Sequence, residues 1–193
     1  SRDGGLSDFG REVIDEMNRL RMLIDLSHVG PKTAEDAISY SKQPVCYSHV
    51  APKALKDHPR CKSDEQLQRI AKRDGFIGAT PFTPFMRRGP DSTIDDFLEV
   101  VEHIIKIAGE NQVGIGTDFS QDSPETPEYW MNDKGYARKL TEFGEIKYPD
   151  GFELLSDYPN LVPAMERRGW SEGRIRRVMG ENWLTFLGEV WGT

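Results

Sequence analysis

LIDLSHV, residues 23–29, is an apolar run that closes on Ser-His, and PVCYSHV, residues 44–50, repeats the phrase. Between them lies GPKTAEDAISYS, residues 30–41, with Pro31 suited to a first helical position and Ala34, Ala37, Ile38 and Tyr40 at amphipathic spacing. A strand ending in Ser-His, a helix, and a second strand ending in Ser-His describe one strand-helix-strand unit, which pairs its strands in parallel through a right-handed crossover.

The same pitch continues outward on both sides. In GLSDFGREVIDEMNRLRM, residues 5–22, Ser7 is placed to cap a helix bearing Phe9, Val13, Ile14, Met17 and Leu20, and a strand over 22–26 follows at once. A second strand is expected over 45–47, ending at Ser48 and His49. KSDEQLQRIAKRDG, residues 62–75, has Ser63 as a cap, a stripe at Leu67, Ile70 and Ala71, and Gly75 as a stop before a third strand over 76–80. The clearest helix covers 93–108, with Ile94, Phe97, Leu98, Val101, Ile104, Ile105 and Ala108 on one stripe, and VGIGTDF, residues 113–119, makes a fourth strand. Short, largely apolar strands are what a sheet buried on both faces requires.

Four such units are half of a (β/α)8 TIM-type barrel, the α/β architecture expected here. An open flavodoxin-like sheet is the rival, yet no Gly-rich phosphate loop follows any strand. The chain is read as one domain: β/α units over 1–119, a long polar and aromatic loop over 120–151 that would rim an active site, and helices over 152–193 at 161–168, 172–179 and 181–190.

Composition narrows the function. In 193 residues, 37% are hydrophobic and 30% charged, and 25 Lys and Arg against 32 Asp and Glu leave a net charge of −7. That balance offers no footprint for nucleic acid or an acidic membrane, so small molecules and proteins are the expected partners. The two cysteines, Cys46 and Cys61, suggest free thiols rather than a disulfide framework. No apolar run reaches transmembrane length and no signal segment opens the sequence. The start at Ser1 without Met suggests an upstream stretch, so the compartment stays open, with a lean to the cytoplasm over export.

Side chains at the C-terminal ends of parallel strands converge on one mouth, which would gather His28, His49 and Asp118. Two imidazoles and a carboxylate suit a divalent metal or acid-base chemistry, where a lone strand-end histidine would suit a core role. Ser27 and Ser48 read as backbone-bonding residues, since no GxSxG elbow surrounds either. In the loop before the third helix, His58 and Arg60 stand together, and Arg60 is either a carboxylate clamp or a solvated cation. His103 reads as exposed, the pairs Asp15 with Glu16 and Asp95 with Asp96 as solvated helix faces, and Trp130 as a residue able to line a pocket.

Residues 5–29, 44–78 and 113–119, followed by YPNLVPAMERRGWSEGRIRRVMGENWLTFLGEV at 158–190, resemble the C-terminal half of the membrane (renal) dipeptidase family, zinc dipeptidases of the amidohydrolase-type barrel. The resemblance implies two zinc ions at the barrel mouth, sharing a bridging carboxylate and a water or hydroxide. It implies further that His28 and His49 ligate the second zinc, that Asp118 takes the proton from the bridging water and hands it to the leaving amine, and that Arg60 binds the terminal carboxylate of a dipeptide. The family's His-x-Asp motif and bridging Glu have no counterpart in these residues, which implies a missing N-terminal half of the barrel as partner; the family's tendency to homodimers adds a second copy. Departures fall on the pocket wall: Asp118, Phe119, Ser120, Gln121 replace Asp-Phe-Asp-Gly; Thr80, Pro81, Phe82 replace an Asn and two aromatics; and Val50 follows His49 where the family has Ser. The expectation is a zinc-dependent dipeptidase, with a different metal-dependent amidohydrolase or a non-catalytic binding protein on the same fold as alternatives.

Overall fold

A computed structural model describes residues 3–119 and 146–192. Three short strands, β1 (Cys46–Val50), β2 (Phe76–Ala79) and β3 (Val113–Ile115), form one parallel sheet in the order β1-β2-β3. Helices follow the expected alternation: α1 (Asp8–Arg19), α2 (Pro31–Tyr40), α3 (Asp64–Ala71), α4 (Ile94–Ala108), then α5 (Leu161–Arg167), α6 (Glu172–Arg176) and α7 (Asn182–Trp191). Their starts are chemically specified. Ser7 caps α1, Ser63 and Gln66 form a reciprocal capping box on α3, and Ser171 caps α6, each hydroxyl taking an N–H of the first turn.

The first of the four expected strands, at 22–26, is reduced to a single bridge, Asp25 to Cys46, closed by Cys46 N–H to Ile24 O at 3.0 Å and Leu26 N–H to Cys46 O at 2.8 Å. With a neighbour on one side only among the described residues, this segment makes two ladder bonds and turns away. The described sheet is therefore open and three-stranded, where four units were expected. β1 also runs past Tyr47, so Ser48 and His49 lie inside the strand rather than beyond it. Most of the loop expected over 120–151, with Trp130, lies outside the described residues. The helix expected over 172–179 gives way after Arg176 to a wide turn, Arg177–Glu181, in which Gly180 leaves helical geometry before α7 begins.

Both faces of the sheet are covered. Val45, Tyr47, Ile77, Ala79 and Val113 belong to the main core with α2, α3 and α4, where α4 buries Phe97, Leu98, Val101 and Ile104. Each such side chain contributes about 1.5–3 kcal/mol on burial. Cys46 and Phe76 form a smaller core with Phe186 and Val190 of α7. α7 is tied to β3 by polar bonds as well: the Asn182 amide donates to Glu110 O and Val113 O, and Trp183 Nε1 donates to Ile115 O at 2.9 Å. A ladder of aromatics, Phe119, Phe152 and Phe97, with Tyr148 and Tyr158 edge-on, anchors the turn after β3.

Two details set the upper end of the sheet. First, β1 pairs Tyr47 with Ile77 and Val50 with Ala79, so β1 carries one extra residue, a bulge at Ser48 and His49. The carbonyl of Ser48 presses against β2 and β3 there: a Cβ at Gly78 or Gly116 would fall well inside van der Waals contact of it. These two glycines are what lets the bulge sit. Second, Lys62 is 4% exposed, and its ammonium donates to the carbonyls of Leu26 at 3.3 Å and Val29 at 3.0 Å while lying 4.8 Å from the Tyr47 ring centre. It thereby holds both ends of the turn that carries His28.

Gly78→Ala is expected to destabilise the protein by about 3 kcal/mol in a denaturant titration, because the obstacle is backbone rather than a movable side chain. Lys62 gives a pH signature. Burial, then the Arg60 cation, bring its pKa from 10.5 to about 8, with Asp25 and Cys61 opposing. Between those values the unfolded chain holds a proton that the folded chain has lost, so stability rises with pH across the window. Relative to Lys62→Met, the unaltered protein is expected to gain melting temperature steadily from pH about 8 to about 10; a constant offset would contradict this.

Candidate metal centre

Three elements bring the expected side chains together. His28 stands on the turn after Leu26, His49 on the β1 bulge, and Asp118 on the turn after β3, all at the C-terminal edge of the parallel strands, where such sheets place their ligands. His28 Nε2 and His49 Nε2 lie 2.7 Å apart with ring centres at 4.9 Å, and His49 Nε2 is 3.8 Å from Asp118 Oδ2. One ligand atom from each of the three falls within 4.8 Å of the others. Asp118 adopts a left-handed backbone, φ 57°, a conformation that Asp tolerates better than most side chains and that stores local strain at this edge.

Beneath the imidazoles sits Asp25. Its Oδ1 accepts from Ser27 N–H at 3.0 Å, Ser27 Oγ at 2.7 Å and Ser48 N–H at 3.0 Å, and its Oδ2 accepts from Ser48 Oγ at 2.6 Å. Partial burial alone would raise the pKa of this carboxyl, but the bonds from Ser48 and Ser27 outweigh it and hold the group below the usual carboxylate range. Ser27 Oγ also accepts from the His49 N–H at 3.1 Å, and Ser48 Oγ lies 2.7 Å from His49 Nδ1. Ser27 thus bonds backbone through its hydroxyl, as expected, whereas the Ser48 hydroxyl bonds side chains instead, the Asp25 carboxylate and a ring nitrogen of His49.

Arg60 completes the edge. Its guanidinium is partly buried, its Nε is buried with no hydrogen-bond partner among the described residues, and its main-chain N–H donates to His58 Nδ1 at 3.1 Å. Burial depresses its pKa, and the negative charge of Asp118 counters. Burial first, then the charges of Arg60 and His49, push His28 below the ordinary imidazole range, which favours the neutral ring that ligation requires.

Elsewhere the expected roles divide. His103 is not simply exposed: its Nε2 meets Asp64 Oδ1 at 2.8 Å between α3 and α4, far from these side chains in the fold. Asp15 accepts from the Tyr40 hydroxyl, Glu16 pairs with Arg19, Asp95 with Arg168, and Asp96 closes the cap at Thr93, so these carboxylates are structural. Cys46 and Cys61 are both free and buried. Asp25 and Lys62 were missed in the sequence. The Asp-x-Ser spacing at 25–27 was a legible sign of an Asx turn, but nothing local links Asp25 to Ser48.

Imidazole nitrogen and carboxylate oxygen are the donors a zinc-type divalent ion takes, and these three converge with one ring held neutral, so the residues present fit such an ion. The two imidazoles alone leave coordination positions for other ligands. No described helix is long and apolar enough to cross a membrane.

Comparison with known proteins bears on the family and the fold. An uncharacterized dipeptidase of Schizosaccharomyces pombe is 36% identical over 192 residues, 98% of this chain and 40% of that protein. The chain spans about two fifths of the length of the curated relatives it matches. An amidohydrolase from Pseudomonas aeruginosa superposes with a TM-score of 0.94 at 52% identity, covering all of this chain and 60% of that one. A metallo peptidase from Rhodobacter sphaeroides, liganded with a phosphinate mimic of the dipeptide L-Ala-D-Ala, superposes with a TM-score of 0.79 at 28% identity over 97% of this chain and 48% of that one. The family profile of membrane dipeptidase, peptidase family M19, matches residues 1–145, and the chain belongs to that family.

Proposed function

We propose that this chain takes part in metal-dependent hydrolysis of dipeptides, as half of a (β/α)8 barrel whose other strands and ligands come from a further stretch of polypeptide. The observation that carries the reading is the meeting of His28, His49 and Asp118 within 4.8 Å beside the partly buried Arg60. The relatives support it: they are named dipeptidase, and one of similar fold holds a dipeptide mimic.

His28 and His49 are the residues that would hold one zinc of a pair, and a bound pair supplies Lewis acidity and a water of lowered pKa. Asp118, exposed at the rim with its carboxylate 3.8 Å from His49 Nε2, is positioned to accept a proton from that water and to deliver it to the departing amine. Arg60 offers a guanidinium already stripped of part of its water, with an Nε unsatisfied among the described residues, to the free carboxylate of a C-terminal residue. A charge-assisted pair in that setting fixes the substrate's length, since a longer peptide puts an amide where the carboxylate should be. The 52% identical amidohydrolase favours keeping other amides within reach of the same site, and Thr80, Pro81 and Phe82, which depart from the family's pattern, are where preference would be altered.

The test is metal analysis and turnover of the full-length protein on dipeptides, N-acyl amino acids and lactones; a protein that holds no zinc and cleaves none of these ends the reading. Asp118→Asn, whose side chain also tolerates the left-handed backbone, is expected to keep metal and lose turnover by about 10²–10⁴-fold. Arg60→Ala is expected to raise KM for free dipeptides by at least tenfold while leaving C-terminally amidated substrates, already poor, unchanged. Equal losses on both substrate types would remove the clamp.

A further inference from the structure

The two Ser-His phrases share one anchor. Asp25 stands between the turn that carries His28 and the bulge that carries His49, and takes one backbone N–H and one hydroxyl from each. We infer that Asp25, acting through Ser48, is a positioning residue that fixes the tautomer of His49, with the proton on Nδ1 and the lone pair of Nε2 directed at His28 and the cation site.

The assignment follows from counting protons. Ser48 Oγ carries one hydrogen, and its shortest contact, 2.6 Å, is to the Asp25 carboxylate, which can only accept. A charge-assisted bond of that length takes the hydroxyl hydrogen. Ser48 Oγ therefore meets His49 Nδ1, 2.7 Å away, as an acceptor, and Nδ1 must supply the proton. Ser27 reaches the same end for its own hydroxyl: its hydrogen goes to Asp25 Oδ1 at 2.7 Å, which leaves its oxygen to accept the His49 main-chain N–H. With both hydroxyl hydrogens committed to Asp25, the 3.2 Å contact between the two serine oxygens carries none.

The consequence passes to the second ring. A neutral His49 with hydrogen on Nδ1 presents a bare Nε2, so the 2.7 Å contact between the imidazoles is a bond donated by His28 Nε2. His49 Nε2 is thus ready for a cation. Without Ser48 Oγ, His49 is free to place its hydrogen on either nitrogen, and a form with Nε2–H is closed to metal. Partners of this kind behind ligating histidines are worth a factor of about 10–100 in metal affinity.

The inference rests on the dipeptidase reading only for the identity of the cation. The experiment uses the full-length protein labelled with 15N-histidine, stripped of metal, at a pH where His28 and His49 are neutral. Long-range 1H–15N spectra are expected to give His49 a protonated Nδ1 and a bare Nε2. A proton resident on Nε2 would overturn the inference, and this measurement needs no variant. In Ser48→Ala the His49 signals are expected to move towards the mixed tautomers of a free imidazole, with Zn2+ affinity falling about 10–100-fold; Ser48→Thr, which keeps the hydroxyl, restores both. Asp25→Asn, which can offer a donor where a carboxylate accepts, is expected to weaken Zn2+ binding to a similar degree with the far-ultraviolet spectrum retained. Unchanged tautomer and affinity in Ser48→Ala would sink the inference while leaving the dipeptidase reading intact. An unaltered protein with the expected tautomer that binds no Zn2+ would instead sink the reading and leave the inference standing.

Discussion

A carboxylate accepts about four hydrogen bonds, and Asp25 receives four from nitrogen and oxygen donors, two from each of the segments that carry an imidazole, with the Cys46 thiol as a longer fifth donor at 3.9 Å. The constraint works because the partners are few and short. Ser27 and Ser48 have one hydroxyl hydrogen apiece, so once Asp25 has taken them the serine oxygens can only accept, from the main chain and from a ring of His49. Position and protonation of the upper edge follow from that one group. Removing it would leave two serines, a bulge and two rings without a common reference.

Around this anchor the fold arranges charge against burial. The chain as a whole is acidic, with a net charge of −7, yet the edge that gathers the histidines has two partly or wholly buried cations behind it. Lys62 spends its ammonium on the carbonyls of Leu26 and Val29 and so clamps the His28 turn from below. Arg60 keeps a buried nitrogen unmatched among the described residues and faces the negative charge of Asp118. Desolvation, then Arg60 and His49, push the His28 pKa down and favour its neutral ring, while Asp118 and Asp25 oppose with their negative charge. In the proposed reading that balance keeps a ligand deprotonated and reserves the guanidinium for an anion from outside.

Backbone geometry does the remaining positioning. The extra residue at Ser48 and His49 fits only because β2 and β3 present Gly78 and Gly116 to the Ser48 carbonyl. The same glycines bring three strands close enough for a turn after β3 to reach the β1 bulge. Asp118 is delivered there on a left-handed residue, held from below by the aromatic packing of Phe119 on Tyr148 and Phe152.

Much of this was legible in the chain. Helix starts announce themselves through one hydroxyl and the N–H groups of the next turn, a matter of three residues, so Ser7, Ser63 and Ser171 are capping residues by local chemistry alone. The apolar stripe of α4 and the short buried strands follow from period, and alternation implies parallel pairing, which carries His28, His49 and Asp118 to one edge. Other features depend on partners distant in sequence. The segment at 22–26 has strand composition but lacks a second described neighbour, and His103 acquires Asp64 only when α3 and α4 pack. The bulge exists because of a register between β1 and β2, and the bond from Ser48 to Asp25 spans 23 residues. Sequence thus determined which groups share an edge, because strand direction is a local property. Only the tertiary structure decided which nitrogen of His49 carries the proton, because that depends on where a single hydroxyl hydrogen goes once two distant segments meet.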